Sequence, residues 1–209
     1  MLQYGKIIVK GIVSDFEGNF LEDADVHFQD ENFSSLFSTK SDKSGKFEIS
    51  IDNRVYNSVF ICKDYSTKNL EYWHWNFNPM TSPIIEAKID GLELYGMKAW
   101  TTLPAYPGLI VYFRPMSLKK YKSLEQPDKN RAAIIYPELN EKNIKAKING
   151  NPSQILGLNF VKEFMENEKF MGAYLLHLST KNITDEIKTL SVQIQATKTN
   201  ERGLGCIDL

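Results

Sequence analysis

Along the first eighty or so residues, apolar positions recur at every second place, in short runs divided by Asp/Gly turns. Lys6-Ile7-Ile8-Val9-Lys10-Gly11-Ile12-Val13 reads as a first strand, stopped by the turn from Asp15 to Gly18. Ala24-Asp25-Val26-His27-Phe28 alternates as a half-buried strand does, and Ser35 to Thr39 forms a third. Asp42-Lys43-Ser44-Gly45 supplies a tight turn, and Phe47-Glu48-Ile49-Ser50-Ile51 alternates cleanly after it. Ser58 to Cys62 and Leu70 to Phe77 follow. Short strands without a convincing helix predict a small β-sandwich.

The run Asn76-Phe77-Asn78-Pro79-Met80-Thr81-Ser82-Pro83 interrupts both the strand and the helix period and is the natural boundary. Strands resume at Ile84 to Ile89, and Asp90-Gly91 is a two-residue hairpin signal leading into Leu92 to Trp100. Leu109-Ile110-Val111-Tyr112-Phe113 suits a central strand. Ala132 to Tyr136, Ile144 to Ile148 and Leu190 to Thr197 continue the pattern, with Asn149-Gly150 as a further turn. Ile155 to Leu178 admits two readings. Phe160, Val161, Phe164 and Met165 can line one face of a short helix, or Glu166-Asn167-Glu168 can turn a hairpin whose return strand is Gly172 to Thr180. The β-rich surroundings favour the hairpin. The whole is therefore expected to be all-β: one sandwich over residues 1–78 and a larger antiparallel, jelly-roll-like sandwich over 83–209.

Composition narrows the function classes. Hydrophobic residues make up 42% of the 209, ample for packed cores. Twenty-five basic residues face 26 acidic ones, so no global field draws the chain to nucleic acid or to an anionic membrane. The run from Lys119 to Arg131 holds five positive charges but also Glu125, Asp128 and a proline, and reads as a solvated loop. Cys62 and Cys206 are the only cysteines, with no CxxC pair, so neither a metal nor a cofactor is expected. Met1 to Lys6 lacks the features of a secretory signal, and no apolar run approaches the roughly 18 residues of a membrane-spanning helix. The expectation is a cytoplasmic protein, or an extracellular one if a signal has been trimmed from the chain.

Residues 7 to about 65 carry Gly11, Val13, Asp15 and Gly18, then Leu21, Ala24 and Val26, then Thr39, Asp42, Gly45 and Phe47. This resembles the carboxypeptidase regulatory-like domain of the transthyretin-like (prealbumin-like) β-sandwich group, with its G-x-V-x-D turn and T-x-D-x-x-G-x-F hairpin. Ser41 and Asp23 depart from that pattern, and Lys63-Asp64-Tyr65 stands where a Gly-Tyr pair is common. The resemblance implies an accessory, adhesive or spacer module. Two enzymatic relatives within the group are disfavoured. His27, His74 and His177 share no metal-ligand spacing, as an iron dioxygenase would need, and the chain lacks the terminal Tyr-Arg-Gly-Ser of a hydroxyisourate hydrolase.

Tyr72, Trp73, His74 and Trp75 lie in the densest aromatic stretch. Alternation places Trp73, Trp75 and Phe77 on one strand face and Tyr72, His74 and Asn76 on the other. If exposed, the tryptophans can stack on sugar rings; if buried, they fill a core or a domain interface. Trp100, Tyr106, Tyr112 and Arg114 make a second grouping, shaped by Pro104 and Pro107. Arg114 can grip a carboxylate or phosphate there, or pair with a neighbouring acid or stack on a ring. Asp90, Glu93, Glu138 and Glu141 sit near turns and read as solvated acids. No Gly-rich phosphate loop and no G-x-S-x-G elbow occur. The sequence thus favours a non-enzymatic binding or assembly protein for carbohydrate or a protein partner, with homo-oligomers formed through exposed strands. The alternative is an enzyme acting on a sugar or another small polar metabolite at the domain junction, with His74 or His177 as base and Arg114 binding an anion.

Overall fold

The computed structural model describes residues 5–102, 107–124, 135–165 and 170–209. The strands are β1 (Lys6–Ser14), β2 (Asp25–Gln29), β3 (Ser35–Lys40), β4 (Lys46–Asp52), β5 (Ser58–Cys62), β6 (Tyr72–Trp75), β7 (Ile84–Lys88) and β8 (Leu92–Thr102). After them come β9 (Gly108–Ser117), the single-turn helix α1 (Leu118–Lys122), β10 (Ile144–Ile148), β11 (Asn151–Pro152), β12 (Ile155–Phe164), β13 (Phe170–Ser179), β14 (Thr189–Ala196) and β15 (Glu201–Asp208). The fold is an all-β sandwich.

Its organising layer is an eight-stranded sheet in the order β11-β10-β14-β15-β6-β5-β2-β3. A three-stranded sheet, β4-β1-β7, and a four-stranded sheet, β12-β13-β9-β8, complete the architecture. The first core gathers Val9, Val13, Val26, Phe28, Phe47, Ile51, Val59, Ile61, Tyr72 and Phe77. The second gathers Trp73, Trp75, Leu94, Val111, Phe113, Tyr174, Leu176, Val192, Ile194 and Ile207. Alternation along one strand therefore feeds both cores: Tyr72 goes to the first, Trp73 and Trp75 to the second. β15 divides in the same way, with Ile207 in the second core and Leu204 and Cys206 packed on the first. A strand covered on both faces needs bulky residues at consecutive positions, and Tyr-Trp-His-Trp supplies them.

The hairpin reading of Ile155 to Leu178 holds: β12 and β13 pair antiparallel from Gly157↔His177 to Phe164↔Phe170. The turn at Glu166-Asn167-Glu168 lies outside the described residues. Asn149 and Gly150 both adopt positive φ, 50° and 79°, as a two-residue turn between β10 and β11 requires. Asp90-Gly91 differs from expectation. It joins no hairpin, because β7 pairs parallel with β1 and β8 pairs antiparallel with β9. Tertiary bonds override the local signal: the Asp90 carboxylate accepts Arg202 N–H at 3.0 Å, while the carbonyls of Asp90 and Gly91 accept Leu70 and Leu118 N–H. Of the strand expected at Ala132 to Tyr136, residues 132–134 lie outside the described residues, and Ile135 and Tyr136 belong to no strand. Both cysteines are free.

Candidate functional site

The β6 stretch is core rather than surface. Tyr72, Trp73, His74 and Trp75 are between 2% and 6% exposed. The two indoles stack at 4.9 Å, Tyr95 meets both edge-on, and Trp75 Nε1 donates to the Leu94 carbonyl at 3.2 Å. Of the two readings of the Trp73 and Trp75 face, sugar stacking is thus corrected to core packing: the four-stranded sheet covers it. On the other face His74 Nε2 bonds Asp208 Oδ1 at 2.9 Å. The same carboxylate accepts Ser82 Oγ at 2.8 Å and Asn78 N–H at 2.8 Å. A nucleophilic relay needs histidine between serine and acid. Here the acid stands between them, so the cluster fastens β15 to β6 and the 78–82 turn.

The second grouping does converge. Pairing of Trp100 with Ile110, of Lys98 with Tyr112, and of His177 with Ile110 puts Trp100, Tyr112, Arg114 and His177 on one face of the four-stranded sheet. Tyr112 O–H donates to Glu163 Oε1 at 2.6 Å, and burial, then this bond, raises the phenol's pKa far above its usual value. Arg114 lies 3.5 Å from Glu163 Oε2 and 5.0 Å over the Tyr95 ring, so its charge is engaged by an acid and a ring at once. His177 is level with Ile110, four residues from Arg114 along β9, a separation of roughly 13 Å. His74 belongs to a different sheet. The base and anion-binder of the enzymatic alternative are therefore not brought together. Pro104 and Tyr106 lie outside the described residues, and Pro107 precedes β9.

An open cleft lies elsewhere, at residues the sequence did not single out as a site. It measures about 700 Å³ and lies between the 136–142 segment and Leu158, Phe160 and Tyr174. Its aromatic floor follows from strand alternation: Phe160 pairs with Tyr174 and Phe164 with Phe170, all on one face. Tyr136 packs onto that face with its ring tilted against Phe160 at 5.1 Å, over Gly172, where a side chain would overlap the tyrosine ring. The opposing wall is pinned. Tyr174 O–H donates to the Pro137 carbonyl and accepts Leu139 N–H, each at 3.0 Å, while Lys120 Nζ donates to the Tyr136 carbonyl at 2.8 Å. Glu138, Asn140 and Lys142 supply the polar rim. Phe160 is 42% and Phe164 75% exposed. The signal that could have located the cleft was the Phe160/Phe164 spacing, once read with a period of two.

The lysines of the 119–131 run that fall within the described residues serve the fold. Lys119, Lys120 and Lys122 donate to the carbonyls of Thr199, Tyr136 and Thr67. Among the described residues no helix is long and apolar enough to cross a membrane.

No family model matches the chain, and no curated protein matches it. Among solved structures it aligns with BcpA, the major pilin subunit of Bacillus cereus, at 11% identity and a TM-score of 0.31, covering 97% of this chain and 67% of that one. It also aligns with a DUF3823 family protein from Parabacteroides merdae ATCC 43184, at 10% identity and a TM-score of 0.29, covering 99% and 100%. Overlaps of this size assign neither family nor activity.

Proposed function

We propose that this β-sandwich is an assembly module that joins a second copy of itself through the open edge of β12. The observation that carries the reading is the edge. Among the described residues β12 ends the order of its sheet, pairs only with β13, and runs from Gly157 to Phe164 without a break in register. Sheet edges are ordinarily guarded by shortness, charge or bulges. β11 has two residues, β4 carries Lys46, Glu48 and Asp52, and β8 is bulged between Tyr95 and Lys98. β12 also carries charges, Lys162 and Glu163, but its pairing is regular from Gly157 to Phe164 and it exposes two phenylalanines, Phe160 and Phe164, where the edges β3 and β7 expose Leu36 and Ile84. Two β12 edges related by a two-fold axis would continue the sheet from one copy to the other.

Sedimentation velocity from low micromolar to sub-millimolar protein tests this. The expected result is a concentration-dependent dimer that Phe164→Glu weakens by tenfold or more, about 1.4 kcal/mol. A monomer across the whole range would sink the proposal. The cleft favours a second reading, a sugar ring stacked on Phe160 and Tyr136 with Glu138, Asn140 and Lys142 meeting its hydroxyls. A monomer that binds a saccharide, and loses it with Phe160→Ala, would establish that reading in its place. The likeness of residues 7 to about 65 to a carboxypeptidase regulatory-like domain belongs to the proposal too, since such modules serve as spacers. So does the division into one sandwich over residues 1–78 and another over 83–209, with β7 crossing it, since β7 pairs with β1 and Ile85, Ala87 and Ile89 pack in the first core.

A further inference from the structure

The β12 edge and the aromatic cleft are parts of one surface. Successive side chains of a strand point to opposite faces of its sheet. Leu158, Phe160, Lys162 and Phe164 share the cleft face, since they pair in turn with Leu176, Tyr174, Gly172 and Phe170. Leu158 and Phe160 line the cleft itself. Asn159, Val161 and Glu163 share the other face, opposite Leu175, Ala173 and Met171. On the cleft face Phe164 meets the Phe170 ring at 6.5 Å yet stays 75% exposed. On the other face Glu163 Oε1 accepts Tyr112 O–H, whereas Oε2 is buried and accepts no hydrogen bond among the described residues. The Asn159 side chain is exposed and makes none.

A second β12, brought alongside by a two-fold axis normal to the sheet, keeps like faces together. The residue on the axis then fixes every other pair. With Lys162 on the axis two ammonium groups stand opposite each other, and with Glu163 two carboxylates do; like charges so placed are destabilising. With Phe160 on the axis, Lys162 stands against Leu158 and Glu163 against Gly157. With Val161 on the axis, Lys162 stands against the Phe160 ring, Phe164 against Leu158, and Glu163 against the Asn159 amide. Of these four registers, the last alone gives each charge a polar or aromatic partner and Phe164 an apolar one. It also keeps the whole pairing, Leu158 to Phe164, inside the regular stretch of the strand.

We infer that two β12 edges join with Val161 on the two-fold axis, so that Phe164 of each copy closes the aromatic cleft of the other beside Leu158. The inference rests on the assembly reading above and adds its register and a composite pocket. Tyr136, Leu158 and Phe160 come from one copy, Lys162 and Phe164 from the second. Lys162 lies 4.8 Å over the Phe170 ring of its own copy, so its ammonium is set between two rings, one from each copy.

Cysteines placed along β12, oxidised mildly and read by non-reducing electrophoresis at the concentrations used for sedimentation, test the register. Opposed side chains have Cβ atoms about 4.5–5.5 Å apart, near enough for a disulfide after a small shift, whereas diagonal neighbours stand about 7–8 Å apart. Val161→Cys should therefore link to itself at least about tenfold faster than Phe160→Cys or Lys162→Cys, while an equal mixture of those two should link to each other. The wild-type chain, with its free Cys62 and Cys206, sets the background. Where Val161→Cys does not fold, the mixture decides. A dimer in which Phe160→Cys or Lys162→Cys links to itself fastest overturns the register and leaves the assembly reading standing. A dimer that no β12 cysteine links, or a monomer throughout, overturns both.

Discussion

Glu201 is 2% exposed, and its carboxylate braces a segment more than eighty residues away in sequence. Its Oε2 accepts Ser117 Oγ at 2.6 Å and its Oε1 accepts Lys119 N–H at 2.8 Å, while Ser117 Oγ accepts Lys120 N–H as the N-cap of α1. One carboxylate therefore seats the start of α1 against the start of β15. Glu201→Ala strands the Ser117 hydroxyl and the Lys119 amide in a site closed to water. Urea denaturation should show a loss of about 2–4 kcal/mol, with Glu201→Gln recovering part of it. A loss within about 0.5 kcal/mol would mean that water replaces the carboxylate. Glu138 has the same functional group but is exposed and simply pairs with Lys198 at 2.5 Å. Nothing around Glu93, buried like Glu201, or around Glu138 in sequence separates buried acid from surface acid, because the difference lies in which remote strand arrives beside each.

At the scale of elements, alternation was legible where one strand meets one core. β1, β2, β3, β4 and β5 fall within a residue of the positions read from their periodicity. β6 shows where that reading stops. Period two assigns Trp73 and Trp75 to one face and His74 to the other, but it does not say what covers each face. Both are covered, since β6 is where the two cores share a sheet. Trp75→Ala should accordingly cost about 3–5 kcal/mol in chemical denaturation. Phe164→Ser, on a side chain 75% exposed, should change monomer stability by no more than about 0.5 kcal/mol. Equal costs for the two would contradict the placement of β6 between cores. The aromatic cleft was illegible for a related reason: its walls, 136–142 and 158–174, meet only once β13 has paired with both β12 and β9. Asp90-Gly91 was misread because turn propensity is local, whereas Leu70, Leu118 and Arg202 hold it from three distant places.

For the molecule as a whole, the last strand in sequence is the one that closes both cores. β15 lies between β14 and β6, antiparallel to the first and parallel to the second. Its contacts with β6 join residues more than a hundred positions apart, and pairings of such range form late because loop closure precedes any gain from them. Ile207 then fills the second core, Leu204 and Cys206 seal the first, and Asp208 gathers His74, Ser82 and Asn78. Fit is tight along the strand. A Cβ on Gly203 would lie 2.6 Å from the Leu92 carbonyl oxygen, a backbone atom that cannot swing aside. Deleting residues 201–209 should therefore remove the cooperative thermal transition from both cores together, read by near-ultraviolet circular dichroism and by tryptophan fluorescence from Trp73 and Trp75. Gly203→Ala should preserve one transition but lower its midpoint by several degrees, the scale of a loss of about 1–3 kcal/mol. Should the truncated chain keep a sharp transition, β15 would be an ornament to the first core, and the two halves would fold as separate units. Loss of both cores in a single step is the behaviour of a central strand that contributes side chains to both of its faces.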